Sequence, residues 1–102
     1  MRKKIVAGNW KMNKTESESV WLIDEIKAQK LNENVSVFIA PTFVNLASAV
    51  KSTKDSGIEV AAQNMHQSSS GAYTGEISAG MLLDIGVKHV ILGHSERRAY
   101  FA

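Results

Sequence analysis

The sequence predicts an α/β protein built on a parallel β-sheet. Four short apolar segments begin near residues 5, 35, 58 and 89, and each reads as a strand. Between them lie amphipathic or capped segments that predict helices. Strands joined by helical crossovers run parallel, so the order βαβαβαβ indicates a sheet covered by helices. We expect a single domain over residues 1–102, without an internal boundary.

The first predicted unit is a strand over residues 4–8, followed by a helix that runs to about Lys30. Thr15 and Glu18 fit a capping box, in which the hydroxyl and the carboxylate each satisfy a free amide at the helix start. The strand is short and apolar, so we expect it to be buried. The buried face of the helix is expected to carry Leu22, Ile23 and Ile26.

The second unit begins with a strand over residues 35–40, which Pro41 stops. Thr42 is the predicted N-cap of the helix that follows. An apolar stripe at i, i+3, i+4 and i+7 defines the buried face of that helix: Phe43, Leu46, Ala47 and Val50. Gly57 can take a left-handed conformation and is predicted to end the unit.

The third unit combines a strand over residues 58–63 with a long polar loop, residues 64–76, and a short helix. The serine and glycine content of the loop is typical of a flexible linker. Its apolar residues could instead anchor a functional loop, because long loops in compact domains are often functional. The predicted helix begins at Ser78, ends at Gly86 and carries Met81, Leu82 and Ile85.

The last strand, residues 89–92, is a continuous apolar run of the kind that is buried on both faces of a parallel sheet. Gly93 breaks the run, and the polar residues His94, Ser95 and Glu96 follow. An alternative is a solvated helix start capped by Ser95, with Glu96 in its first turn. The two interpretations are compatible, and together they favour a neutral His94 ring. We expect no covering helix after this strand.

Composition excludes several classes of protein. The 102 residues carry 12 basic and 10 acidic side chains, and a net charge of +2 is too small to indicate a nucleic-acid or membrane partner. The chain has no cysteine, which excludes disulfides, thiolate catalysis and zinc–cysteine sites. The apolar run near the N-terminus is too short for a signal peptide or a membrane span. We therefore expect a soluble cytoplasmic protein.

Four polar side chains are candidates for chemistry: Asn9, Lys11, His94 and Glu96. They follow the first and fourth strands, and the carboxyl ends of parallel strands are where ligands bind. An amide, an ammonium and an imidazole there could stabilise an oxyanion on a substrate, and Lys11 could attract a phosphate. Considered singly, these residues have simpler explanations: Lys11 as a solvated loop lysine, Asn9 as a turn former, and Glu96 as a helix cap or a surface partner of Arg97 or Arg98. Neither His66 nor His89 has metal-ligand spacing to His94, so no metal or cofactor is predicted.

Five segments resemble the triosephosphate isomerase family, in the family's order and spacing. They are AGNWKMN at residues 7–13, APT at 40–42, QNM at 63–65, GAYTGEIS at 71–78 and ILGHSERR at 91–98. The resemblance implies the TIM (β/α)8-barrel fold, of which this chain covers only the N-terminal βαβαβαβ half. It also implies interconversion of dihydroxyacetone phosphate and glyceraldehyde 3-phosphate, in glycolysis and gluconeogenesis, without a cofactor or a metal.

Residue roles follow from the same resemblance. His94 would be the electrophile that polarises the substrate carbonyl; the family is itself a standard example of a neutral histidine working with a glutamate base. Lys11 would neutralise substrate charge, Asn9 would donate a hydrogen bond, and Glu96 would support the site. The loop over residues 65–76 matches the family's interface loop, which in a homodimer would insert into the neighbouring subunit and place Thr74 near the neighbour's Asn9 and Lys11. The interface residues implied are Met65, Tyr73, Thr74, Gly75 and Glu76.

The glutamate base, the lid and the phosphate loops of the family match nothing in residues 1–102, and an eight-stranded barrel needs about 250 residues. Glu96 matches a different family position from the base. We therefore expect the chain alone to have little or no isomerase activity. The alternative is an interaction module: an inactive half-barrel whose first and fourth strands are unpaired edges, and which self-associates or is completed by a C-terminal half.

Overall fold

The computed structural model describes residues 3–29 and 32–101. Within them strands and helices alternate: β1 (Lys4–Asn9), α1 (Glu16–Lys27), β2 (Val35–Ala40), α2 (Leu46–Ser52), β3 (Ile58–Ala62), α3 (Ala79–Asp84), β4 (His89–Val90) and α4 (Ser95–Phe101), with a 3₁₀ turn at Phe43–Asn45. The sheet order is β1-β2-β3-β4 and each neighbouring pair is parallel. The predicted parallel α/β architecture is confirmed. None of the helices in this described part is long and apolar enough to cross a membrane.

The core lies between the sheet and the helices. Residues paired in a parallel sheet point to the same side, so Val37, Ile39 and Val60 face the helices together. The buried apolar cluster consists of Ile23, Ile39, Leu46, Ala49, Ile58, Val60, Ala62, Leu82 and Val87. The opposite side of the sheet, called the inner face below, is an open apolar surface. Its lining includes Ile5, Ala7, Phe38, Ala61 and Ile91.

The prediction that the first and fourth strands are buried is wrong for the described chain. Ile5 is 67% exposed and Leu92 is 61% exposed. Both strands are edges of the sheet, and the described residues place no layer on the inner face. The fourth strand is also shorter than predicted, because its partner β3 ends at Ala62, the residue that pairs with Val90. The prediction that no helix follows this strand is also wrong, because α4 follows it.

The predicted capping box is confirmed at the start of α1. The Thr15 amide donates to Glu18 Oε1 at 2.9 Å, and the Glu18 amide donates to Thr15 Oγ1 at 3.3 Å. Of the predicted buried face, Ile23 is fully buried, whereas Leu22 and Ile26 are half-buried. The helix ends at Lys27, and Lys30, the predicted end, lies outside the described residues.

The predicted face of the second helix is partly wrong. Leu46 is buried, but Phe43 is 51% exposed and Ala47 is exposed, while Ala49 takes the buried position. The cause is the 3₁₀ turn before α2, whose tighter repeat rotates the face away from the 3.6-residue spacing. The Thr42 side chain makes no capping hydrogen bond there.

The predicted roles of two glycines and one serine at the ends of helices are confirmed. Gly57 and Gly86 have φ values of +80° and +91°. Ser78 accepts a hydrogen bond from the Met81 amide at 3.3 Å and so caps α3. On that helix Leu82 is buried, but Met81 is 52% exposed.

The loop over residues 64–76 is closed by its own contacts. The His66 amide donates to the Ile77 carbonyl at 2.7 Å, and Asn64 Nδ2 donates to Glu76 Oε1 at 3.2 Å. The ring of Tyr73 lies on the His66 ring, with centroids 4.1 Å apart. These contacts favour an ordered loop over a simple flexible linker.

Candidate active site

The structure brings the four candidate side chains to one cavity at the carboxyl ends of the strands. Its lining residues are Asn9, Lys11, Gln63, Ile91, His94, Glu96 and Arg97. Lys11 follows β1 and Glu96 follows β4, yet Lys11 Nζ lies 2.8 Å from Glu96 Oε1. The sheet therefore curves enough for the segments after its two edge strands to touch. The cavity has a volume of about 90 Å³, far below the roughly 300–1,000 Å³ of small-molecule sites.

Lys11 is held in an unusual backbone conformation. Its φ is +55°, in the left-handed region that residues with a Cβ rarely adopt. Two side chains fix it: the Lys11 amide donates to Asn9 Oδ1 at 2.9 Å, and Gln63 Nε2 donates to the Lys11 carbonyl at 2.8 Å. Because Asn9 accepts through its oxygen, the amino end of its carboxamide is the part that can donate to a ligand.

A backbone hydrogen bond fixes the orientation of the His94 ring. Its Nδ1 accepts a hydrogen bond from the Glu96 amide at 3.1 Å, and a ring nitrogen that accepts carries no proton. The proton of the neutral ring is therefore on Nε2. His94 Nδ1 and Glu96 Oε2 are 3.8 Å apart, too far for a hydrogen bond. His94, not Ser95, makes the capping contact at the start of α4, which corrects the sequence prediction.

Glu96 pairs with Lys11 across the cavity. The simpler interpretation, a surface pair with Arg97 or Arg98, is therefore not what the structure shows. The hydrogen bond from Lys11 lowers the pKa of Glu96 below its ordinary value, and partial burial opposes that effect. Both side chains are about half exposed, 53% for Lys11 and 47% for Glu96. Solvent therefore screens the attraction between the two charges, and the pair contributes little to the stability of the fold. Its main effect is to hold the two loops together.

The lowered pKa of Glu96 predicts how the pair responds to pH. A carboxylate whose pKa is lower in the folded chain contributes stability above its unfolded pKa, and loses that contribution as the pH falls through the folded pKa. We expect Glu96→Gln to unfold more readily in urea than the unsubstituted chain at neutral pH, and the difference to vanish at acidic pH. A constant difference across the titration would contradict this. High salt should reduce the neutral-pH difference.

Three lining residues are absent from the predicted site, the apolar Ile91 and the polar Gln63 and Arg97. Gln63 Nε2 donates to both the Lys11 and the Ala40 carbonyls, each at 2.8 Å. The available signal was its position as a polar residue directly after the third apolar strand. Arg97 lines the cavity with its guanidinium 4.9 Å from the centre of the Phe101 ring. The sequence predicts Arg97 only as a possible surface partner of Glu96.

The other two histidines lie away from the cavity. His66 stacks on Tyr73, and His89 on the inner face meets Phe38 edge-on at 4.8 Å, with its Nε2 3.6 Å from Glu59 Oε2. Across residues 3–29 and 32–101, no group of three or more His, Cys, Asp or Glu side chains is arranged to hold a metal ion.

The predicted interface residues occupy two environments. Tyr73 is 47% exposed and Thr74 and Gly75 are exposed, as a docking surface requires. Met65 packs against the core, and Glu76 is half-buried and bonded to Asn64. Their contact with a second subunit stays a prediction.

Comparison with known proteins identifies the family. The family model for triosephosphate isomerase matches residues 4–102. Triosephosphate isomerases from Flavobacterium psychrophilum and Clostridium acetobutylicum are 65% and 56% identical to the chain over 102 and 101 residues. Each alignment covers 99% of this chain and 41% of the relative, so the chain spans about two-fifths of its relatives' length. The predicted fold class, the N-terminal half of a TIM barrel, is confirmed. On these matches, the chain belongs to the triosephosphate isomerase family.

Proposed function

We propose that this chain is the N-terminal part of an isomerase that interconverts dihydroxyacetone phosphate and glyceraldehyde 3-phosphate. The observation that carries the proposal is the meeting of the Lys11 ammonium, the Asn9 carboxamide and the His94 imidazole, whose Nδ1 accepts a hydrogen bond, in one cavity. Family membership supports the choice of a triose phosphate as substrate. The reaction is a step of glycolysis and gluconeogenesis, and we infer a cytoplasmic enzyme.

The proposed roles follow from charge and donor geometry. Moving a proton between the two substrate carbons develops negative charge on the carbonyl oxygen, which fixed donors stabilise. His94 Nε2–H donates to that oxygen, and Asn9 adds a second donor. The Lys11 ammonium stabilises the enediolate and the anionic substrate. Glu96 holds Lys11 when no ligand is present, so an anionic ligand competes with Glu96 for the ammonium.

Proton abstraction from carbon requires a base, and Glu96 is poorly suited to that role. It is the carboxylate that lines the cavity, but its hydrogen bond to Lys11 lowers its pKa and weakens it as a base. We infer that the base comes from the part of the relatives' length that this chain does not span.

The remaining features are proposed on the same basis. Residues 1–102 belong to one domain, and the loop that contains Met65, Tyr73, Thr74, Gly75 and Glu76 contacts a second copy in a homodimer. The family match favours the isomerase over the alternative function, an interaction module, which is motivated by the open inner face and the two edge strands. A complementing C-terminal half would cover both features.

A fusion experiment tests the proposed function. The 102-residue chain is assayed alone and joined to the C-terminal segment of the Flavobacterium psychrophilum relative that this chain does not cover. We expect turnover of glyceraldehyde 3-phosphate by the fusion and only the blank rate from the chain alone. A folded fusion without turnover would refute the proposed function. Equal rates for the two proteins would refute the inference about the base.

A further inference from the structure

The loop after β1 contains two residues in the left-handed region. Lys11 has a φ of +55° and Lys14 a φ of +80°. Residues with a Cβ adopt this conformation at a cost, so surrounding contacts must hold it. Residues 10–14, called the lysine loop below, carry the Lys11 ammonium into the cavity.

Each left-handed lysine receives a carboxamide donor on its carbonyl. Gln63 Nε2 bonds the Lys11 carbonyl, and Asn45 Nδ2 bonds the Lys14 carbonyl, both at 2.8 Å. Gln63 follows β3 and itself lines the cavity, whereas Asn45 lies in the 3₁₀ turn before α2 and is only 1% exposed. A hydrogen bond from a buried carboxamide is costly to break, because water cannot replace the lost partner.

We propose that Asn45 is a positioning residue for Lys11. By holding Lys14 in its left-handed conformation, it fixes the far end of the lysine loop and so sets where the Lys11 ammonium lies. This inference rests on the proposed role of Lys11 in the function above. The near end of the loop is already fixed by Asn9 and by a bond from Asn13 Nδ2 to the Trp10 carbonyl at 2.8 Å.

The simpler role for Asn45 is to cap the helix that follows it. Its side chain makes no capping bond to α2, however, although it occupies the N-cap position. Its two donor contacts go to the Lys14 carbonyl and to Thr42 Oγ1, the latter at 3.1 Å. Its Oδ1 is buried without a partner among the described residues. The side chain therefore acts through its donors, and the long-range donor contact is with the lysine loop.

The test compares Asn45→Ala with Thr42→Val in the full 102-residue chain. Thr42→Val removes the other contact of Asn45 and leaves the bond to Lys14, so it is the matched control. The readout is the pKa of Glu96, followed by NMR of its side-chain carboxyl carbon, because the hydrogen bond from Lys11 is the largest of the effects that lower that pKa. We expect Asn45→Ala to raise the pKa of Glu96 towards its ordinary value and Thr42→Val to leave it lowered.

Each outcome decides the proposal. A folded Asn45→Ala chain with an unchanged pKa of Glu96 would overturn it, as would equal shifts in both variants. Should Asn45→Ala fail to fold, hydrogen exchange of the Asn45 carboxamide in the unsubstituted chain decides: slow exchange supports the hydrogen bond from Asn45 to the Lys14 carbonyl, and exchange at the rate of free asparagine overturns the proposal. Neither readout depends on catalysis, so failure of the fusion assay remains a separate result.

Discussion

Replacing His94 with glutamine in the fusion protein is expected to lower kcat about 10²- to 10⁴-fold, the usual contribution of a positioned acid–base group. Glutamine can offer an oxygen to the Glu96 amide, as His94 Nδ1 does now, so the start of α4 should keep its capping contact. It can also donate a hydrogen bond to the substrate. It cannot exchange a proton with the enediolate, and for that reason we expect a loss mainly in kcat.

The control is His89→Gln in the same fusion. The chemical change is identical, but His89 lies on the inner face against Phe38 and outside the cavity. Steady-state assays of both variants should show full or nearly full turnover for His89→Gln. If the two substitutions reduce kcat equally, His94 has no special role and the proposed assignment fails.

Ile23→Ala is expected to destabilise the chain by about 2–5 kcal/mol, the range for truncating a buried isoleucine. Ile23 is completely buried in the layer between the helices and the sheet, and its loss leaves a cavity there. Small domains have a total stability of only about 5–15 kcal/mol. We therefore expect the variant to lose a substantial part of its stability and to unfold at a clearly lower urea concentration than the unsubstituted chain.

Ile5→Ala is the matched control, because the same atoms are removed from a side chain that is 67% exposed. Its expected cost is below about 1 kcal/mol. Urea unfolding followed by far-UV circular dichroism measures both variants. Equal losses would mean that the inner face is packed as tightly as the helix-facing layer, contrary to the structure.

The features that local sequence determines were the predictable ones. The Thr15–Glu18 capping box, the turn at Gly57 and the order of strands and helices depend on neighbouring residues, and each is present. The meeting of Lys11 and His94 followed from one further rule, that parallel strands end at the same edge. That rule places side chains in the same region, but it does not predict their hydrogen bonds.

The missed features depend on contacts between distant segments. Whether Ile5 is buried depends on what covers the inner face. The alternation of apolar and polar residues along a strand does not reveal that. The exposure of Phe43 follows from a 3₁₀ turn, and the apolar spacing in the sequence does not distinguish such a turn from the start of an α-helix. The bonds from Gln63 and Asn45 to the lysine loop join residues far apart in the chain, and no spacing rule predicts them.

The order of the strands in the sheet has a consequence for how the chain folds. Each strand pairs with the next one in sequence, so every pairing closes only one helical crossover. Each crossover still has to close a loop that contains a helix, and this loop closure makes parallel pairing slow. We expect the β1–β2 pair to form a template on which later strands add one at a time, as each emerges from the ribosome.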